Sequence, residues 1–499
     1  MKKITFLVAF ITATIFNNLS AQIGNVLFSD VAVHEIRFDN VDTTTFFLNA
    51  NKGIYSQCKI TIDGTIIDSI GATTKGNISW NHANNKKPLK IDLNKFISGK
   101  KYDGIKKFYL HNSFEDPSLM REKLTYDICN QMGLHSLRAA FSKVYINSIY
   151  WGLYTLLEAK DELYKRDFSN KNAEVYESFD LGSPCIFSQN ATDWAVDNGT
   201  PAPTWPRFQK LTDKLANTPV SEYLDTISKY ININDFFKYQ AVNVYLLNFD
   251  SYLSFNGNQL YLFDSIIENR FQIIPWDFNA SFGLWNTNNY NPNTLNIIPT
   301  LISSKCPFDK INAIPQLKNN YLDAICLLKS THCDTTTLIN KINNFYSQIQ
   351  TAVYSDTKKT PTNAQFDLGT NYGYQIYGSS FNNVPGLKTF VKERWIKINA
   401  ELQSIPYTCA ATGIETNTFS HSFFIYPNPS SATLTINKNI IGNLSYKIVT
   451  LTGQVIQTGM INHTEKQLSI SSLTNGIYFL QLFENNISLG QQKFIKSDQ

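Results

Sequence analysis

Along residues 58–80, CKITIDGTIIDSIGATTKGNISW, apolar and polar positions alternate on both sides of Asp63-Gly64. Period two around an Asp-Gly pair predicts two half-buried strands joined by a tight hairpin. In KKPLKIDL the same alternation puts Leu89, Ile91 and Leu93 on one strand face and Lys90 and Asp92 on the other. The period then lengthens. After Asp116-Pro117-Ser118, Leu124, Ile128, Gln131 and Met132 recur at helical spacing until Gly133 ends the run. Residues 141–146 and 150–157 return to strand character around Asn147-Ser148, a second hairpin that ends at Glu158.

Farther along, NDFFKYQAVNVYLLNFD predicts a helix from an Asn234 cap to Asp250. Residues 259–264 and 270–276 predict two strands joined by SIIEN. In an antiparallel pair, the residue before the first strand and the residue after the second are neighbours, about 5 Å apart. Asn258 and Asp277 are therefore expected side by side, with Asp250 a short loop away. Residues 409–420 are small and polar, which is linker chemistry. Beyond them, alternating segments at 432–436, 444–450 and 477–483 are separated by turn residues and predict a small antiparallel sandwich.

With 499 residues the chain is too long for one compact core. Its 44 basic and 40 acidic residues nearly cancel, so it lacks the concentrated charge of a nucleic-acid binder and no nucleic-acid partner is expected. MKK, an apolar run over 4–16 and Leu19-Ser20-Ala21 before Gln22 have the form of a secretory signal over residues 1–21. No later stretch approaches the roughly 20 uninterrupted apolar residues of a membrane span. Seven cysteines permit disulfides in an exported chain, and their odd number leaves one over. Cys306, Cys326 and Cys333 are close enough in sequence for one local bridge, with buried unpaired thiols as the other reading. No CxxC or HExxH spacing points to zinc.

The order of elements carries the chemistry. An acidic residue after a helix, an amide a few positions on, a hairpin and a second acidic residue follow the working parts of a protein kinase's second lobe. There one Asp positions the hydroxyl nucleophile while an Asn and another Asp hold magnesium on the phosphates. A lysine strand with Lys87 and Lys90, a helix and a connector at Glu158-Ala159-Lys160 precede them. Cationic side chains are needed where phosphate charge enters a partly dehydrated cleft.

Several of these residues also form motifs: Thr74-Lys75-Gly76-Asn77-Ile78-Ser79-Trp80, Lys86-Lys87-Pro88-Leu89-Lys90, Asp116-Pro117-Ser118 with Arg121, and Tyr145-Ile146-Asn147 with Gly152-Leu153-Tyr154 and Glu158. Pro275-Trp276-Asp277 and Val391-Lys392-Glu393-Arg394-Trp395 follow. In this order they resemble the CotH (spore-coat protein H) family of atypical secreted protein kinases, over most of residues 31–403. The resemblance implies an α+β fold with a two-lobed kinase-like domain that takes ATP with Mg2+ or Mn2+. By the same carry-over Asp277 would bind metal and Asp250 would be the catalytic carboxylate. Asn258 would be the second metal ligand, with Asn256 as its rival. Lys87 or Lys90, with Arg121, would contact the phosphates, and Glu158 would belong to the connector beside the adenine pocket. Two positions depart from the family pattern: Asn279 stands where a further acidic residue is usual, and Thr73 where a basic one is common.

In the tail, Tyr426-Pro427-Asn428-Pro429, Thr452-Gly453, Gly476-Ile477-Tyr478 and the terminal 493–496 segment resemble the type A C-terminal sorting domain of type IX secretion. That resemblance implies a small all-β sandwich over residues 421–499 after a linker at 404–420. It also implies export through the type IX machinery, and release or attachment at the outer cell surface. The expected function is a secreted kinase passing the ATP γ-phosphate to a Ser, Thr or Tyr hydroxyl of a surface or exported protein. The alternatives are a non-catalytic surface scaffold of the same fold and a glycan hydrolase with Asp250 and Asp277 as its carboxylate pair. His111 and His135 are given no catalytic role.

Overall fold

The computed structural model describes residues 23–81, 85–168, 173–177, 195–196, 206–252, 259–284, 294–299, 307–375, 383–409, 424–437, 444–450, 454–461, 467–484 and 487–497. The signal segment, linker residues 410–420, Asn256, Asn258, Cys185 and Cys306 lie outside the described residues. The chain divides into two compact units, Met1–Ala410 and Ala411–Gln499.

In the first unit, β1 (His34–Asp39), β2 (Ser56–Ile62), β3 (Thr65–Thr74), β4 (Leu89–Asp92), β5 (Lys107–His111), β6 (Ala139–Ile146) and β7 (Ile149–Glu158) form a closed barrel in the order β1-β2-β3-β4-β5-β7-β6. Both expected hairpins are present. Asp63 and Gly64 have φ of 46° and 84°, and Asn147 and Ser148 have 48° and 67°. Two positive φ values in a row match the right-handed twist of the flanking strands, and Asn, Asp and Gly tolerate them best. Alternation then decides the faces. Ile36, Ile60, Leu89, Ile91, Phe108 and Leu110 fill the barrel. By the same alternation Lys90, Tyr109 and His111 fall on the outer face of β4 and β5.

A second core lies outside the barrel. It is built from the helices Arg121–Gln131, Ile233–Tyr245, Pro315–Leu327, Thr335–Ser355 and Leu387–Ser404. A four-stranded sheet joins them: β8 (Val175–Glu177), β9 (Ala195–Val196), β10 (Leu260–Ser265) and β11 (Arg270–Pro275), in the order β11-β10-β8-β9. In Thr335–Ser355, Leu338, Ile342, Phe345, Ile349 and Val353 recur every three or four residues, and this single apolar stripe is the buried one. Tyr109, Phe141, Leu153 and Leu157, from the barrel's outer face, belong to this second core, so the barrel and the helices pack as one unit.

The α+β class agrees with the sequence. The barrel departs from the two-lobed kinase-like plan, because β1 and β6 pair in parallel and close the sheet on itself. A second difference concerns the helix before Asp250. Its cap is Asn232, whose side chain accepts from the Asp235 N–H at 3.4 Å, and it ends at Tyr245 rather than Asp250. Asn248 N–H reaches back to the Asn243 carbonyl (2.9 Å) and Leu247 N–H to that of Val244 (3.4 Å), with Leu247 at φ 47°. This is a Schellman stop in which a leucine takes the position usually given to glycine, so no stop signal is visible in the sequence. The expected local cysteine bridge is also replaced: Cys326 pairs with Cys409, 83 residues away, and Cys333 is a buried free thiol.

The second unit is a sandwich of two antiparallel sheets. Phe424–Tyr426, Thr433–Asn437 and Gln467–Ser469 make one; Val455–Ile461, Leu444–Thr450, Gly476–Glu484 and Ile487–Lys496 make the other. Leu434, Ile436, Ile448, Leu480, Leu482 and Phe494 form its core. Among the described residues no helix is long and apolar enough to cross a membrane.

Candidate functional site

The β10–β11 hairpin pairs Leu260 with Pro275 and so brings Gln259 and the Trp276-Asp277 turn to the same end of the sheet. Asp277 has a φ of 54°. Aspartate is among the few residues that enter this left-handed region as single positions, where the strain is tolerated because the surroundings enforce it. Those surroundings are visible: the Asp277 N–H donates to the Tyr126 hydroxyl (3.3 Å), and Thr125 and Ser281 share a hydroxyl contact of 2.7 Å. Both partners come from the Arg121–Gln131 helix. The Gly283 N–H donates to the Leu246 and Leu247 carbonyls at 3.2 Å, tying the turn after β11 to the loop that carries Asp250. Asp250 itself is buried, and its N–H is received by the Asn248 side chain at 3.3 Å.

Facing Asp277 is the barrel's outer surface. The Lys75 ammonium lies 4.4 Å from the Tyr109 ring centroid and 5.1 Å from that of Trp276. Lys160, the first residue of the Lys160–Phe168 helix, lies 4.7 Å from the Trp276 centroid and 4.2 Å from that of Tyr261. Lys75 Nζ is 2.9 Å from His111 Nε2, and His111 Nδ1 is 2.7 Å from Glu122 Oε1. Two lysines, two aspartates and an aromatic wall thus come from six different segments of the chain.

Electrostatics reflects the crowding. Burial, then the positive charge of Lys160, pushes the Lys75 ammonium down to about 8, against the pull of Asp277 and Glu122. Burial followed by Glu122 raises the Asp277 carboxyl to about 6, with His111 and Lys75 opposing. Burial and then the Asp277 charge raise Asp250 to about 8, despite a hydrogen bond from the Gln259 side chain. Each shift opposes charge in a poorly solvated place; a bound cation would favour the two carboxylates, and a bound anion the Lys75 ammonium.

A family model described as "CotH kinase protein" matches residues 72–396, about two thirds of the chain. The chain belongs to the CotH family. The CotH region is followed by a match to the "Secretion system C-terminal sorting domain" over residues 424–497. Such a tail makes this a protein that is secreted or attached to the outer surface. Inner spore coat protein H of Bacillus subtilis (strain 168) is 26% identical over 197 residues, 38% of this chain and 53% of that protein. The CotH chain therefore spans about half the length of this curated relative. A solved structure, Pseudomonas fluorescens alkylpurine DNA glycosylase AlkC bound to DNA containing an abasic site analog, is 12% identical over 38% of this chain and 54% of that one. Its TM-score is 0.10, so the likeness carries no argument.

Within this CotH chain the expected site residues fall in different places. Asp250 lies close enough to Asp277 for that residue's charge to act on it, and Asn258 lies outside the described residues. Lys90 projects from β4 beside Tyr109, and its charge acts on Lys75. Lys87 is buried with its ammonium 4.3 Å from the Trp80 ring centroid. Arg121 is buried and held by Asp116 (2.5 Å), the Ser118 hydroxyl (3.1 Å) and the Pro385 carbonyl (2.6 Å). Glu158 is buried between Arg138 (2.6 Å) and Arg166. The last two arrangements are braces between neighbouring segments.

Sequence reasoning passed over Lys75, His111, Glu122 and Lys160 as site residues. Lys75 lies within the Lys-Gly motif, and Lys160 within the connector, so both positions were in view without their charge being placed. For His111 and Glu122 the only available signal is strand and helix phase, which turns both toward β3's end. Asp277, Asp250 and the Asn279 amide oxygen are hard oxygen donors suited to Mg2+ or Mn2+. Asn279 Oδ1 is buried without a hydrogen-bond partner, an orphaned acceptor two residues from Asp277. Among the described residues no group of three or more His, Cys, Asp or Glu is arranged to hold a metal.

Proposed function

We propose that this chain is a secreted protein kinase that transfers the γ-phosphate of ATP to a Ser, Thr or Tyr hydroxyl of a surface or exported protein. The observation that carries the reading is the convergence of Lys75 and Lys160 on Trp276, next to Asp277, whose charge acts both on Lys75 and on Asp250. We read the barrel and the helical core as the two lobes, with the nucleotide between them. Asp277 and Asn279, with Asn258 as the further candidate, would hold a divalent cation, which would supply positive charge to the phosphate oxygens.

Lys75 and Lys160 neutralise the remaining phosphate charge, and the aromatic wall keeps water from them. Asp250 receives the proton as the acceptor oxygen bonds to the γ-phosphorus and the bond to ADP breaks. Two lysines opposite the carboxylates suit an anionic substrate better than a neutral glycan. The scaffold reading draws on one feature, the raised Asp250 carboxyl, which without a cation stays largely protonated at neutral pH.

The test is incubation of the purified chain with labelled ATP, Mg2+ or Mn2+, and a panel of exported proteins. Transfer by the wild type and at least a hundredfold loss in Asp277→Ala are expected. Equal labelling by both would sink the reading, and calorimetry without Mg-ATP binding would favour the scaffold.

A further inference from the structure

The contact between Lys75 and Glu122 is indirect. In protein kinases a strand lysine pairs with a helix glutamate, and that ion pair must be in place for activity. Here an imidazole occupies the space between them, 2.9 Å from Lys75 Nζ on one side and 2.7 Å from Glu122 Oε1 on the other. The three residues come from three elements: Lys75 follows β3, His111 ends β5, and Glu122 sits in the first turn of Arg121–Gln131.

Donor and acceptor chemistry narrows what the ring does. An ammonium only donates and a carboxylate only accepts. The imidazole meets both demands as the neutral tautomer, accepting at Nε2 and donating from Nδ1–H. The ring is also fixed in orientation. It stacks on Tyr109 at 6.1 Å and 21°, and meets the Trp276 edge-on at 6.0 Å and 90°. His111 therefore reads the position of the Arg121–Gln131 helix and transmits it to the lysine facing Asp277. The same helix holds the Asp277 N–H through Tyr126, so one element sets both sides of the cleft.

We propose that His111 is a positioning residue for the phosphate-binding lysine, coupling Lys75 to the Glu122 helix through its Nδ1–H tautomer. The inference rests on the phosphotransferase reading of the site. It adds a residue whose loss weakens nucleotide binding without touching the nucleotide.

The experiment has two arms on the full chain. In the first, nitrogen-15 NMR of histidine-labelled protein, with the His111 signals assigned by their loss in His111→Gln, reports the tautomer. Protonated Nδ1 with unprotonated Nε2 is expected; the reverse tautomer overturns the bridge. In the second, kinetics is measured on variants whose thermal unfolding is recorded beside them. His111→Gln keeps one donor and one acceptor and is expected to hold KM for ATP within about threefold. His111→Phe keeps the ring and loses both, and should raise that KM about tenfold or more with a smaller change in kcat, the cost of one hydrogen bond to a charged group. A folded His111→Phe with wild-type KM overturns the proposal. A wild-type chain with the expected tautomer and no ATP turnover overturns the kinase reading instead, so the two failures are told apart.

Discussion

Asp277 and Asp250 show how a residue's place and its charge state are legible to different degrees. That a carboxylate stands at the end of β11 follows from the hairpin: the residues flanking paired strands must be neighbours, and Leu260 opposite Pro275 makes them so. That both carboxyls are raised depends on burial and on partners from elsewhere in the chain: burial and then the Asp277 charge take Asp250 to about 8, and burial and then Glu122, from a distant helix, take Asp277 to about 6. This has a consequence for stability. Between about pH 4, where a carboxyl titrates in the unfolded chain, and about pH 8, the folded state holds more protons than the unfolded one. Stability of the metal-free protein should therefore fall as pH rises through that window and level off above it. Lys75, lowered to about 8, acts in the opposite sense only at higher pH. Urea midpoints taken from pH 5 to 8 should show the decline, Asp250→Asn should flatten it, and saturating Mg2+ should flatten it in the wild type. An undiminished slope in Asp250→Asn would assign the proton uptake to other groups.

At the scale of elements, the strands of the hairpins were legible to within a residue or two, whereas the end of the Ile233–Tyr245 helix, expected at Asp250, and the long-range partners were not. Residues 141–146 and 150–157 read as a hairpin because each pairs with its own neighbour across Asn147-Ser148. Lys86 shows the opposite case. It belongs to a lysine-rich stretch with the look of a solvated face, yet its ammonium is fully buried against Asp356, 270 residues away, at 2.8 Å. Asp356 ends the Thr335–Ser355 helix and also accepts from the N–H groups of Leu153 (3.1 Å), Lys358 and Lys359 (both 2.9 Å). Gly152 makes this approach possible: at φ 129°, a Cβ there would collide with the Asp356 carboxylate. Removing one partner of a buried pair leaves the other charge uncompensated. Asp356→Ala should cost about 3–5 kcal/mol in chemical denaturation. Lys86→Met should cost less, since Asp356 retains its backbone donors. A loss under about 1 kcal/mol for Asp356→Ala would mean that Lys86 finds water there.

For the whole molecule, ordered motifs were enough to reach the family, because short segments keep their spacing whatever surrounds them. The closed barrel was out of reach for the same reason: its closure is a parallel pairing of β1 with β6, far apart in sequence, and no local pattern encodes it. The Cys326–Cys409 bridge is non-local in the same way, and it defines where the first unit ends. Ile405, Tyr407 and Cys409 pack against the second core beyond the last helix, and the Tyr407 hydroxyl donates to Asp323. A chain ending at residue 410 keeps all of these contacts, so its first unit should unfold at the wild-type denaturant midpoint. A chain ending at residue 404 loses them and leaves Cys326 unpaired. Because the bridge closes an 83-residue separation, its loss should lower stability by about 2–4 kcal/mol. Reductant supplies the control: it should destabilise the 410-residue chain by about that much more than it does the 404-residue chain. If both truncations unfold alike and respond alike to reductant, the bridge adds nothing to the stability of the first unit.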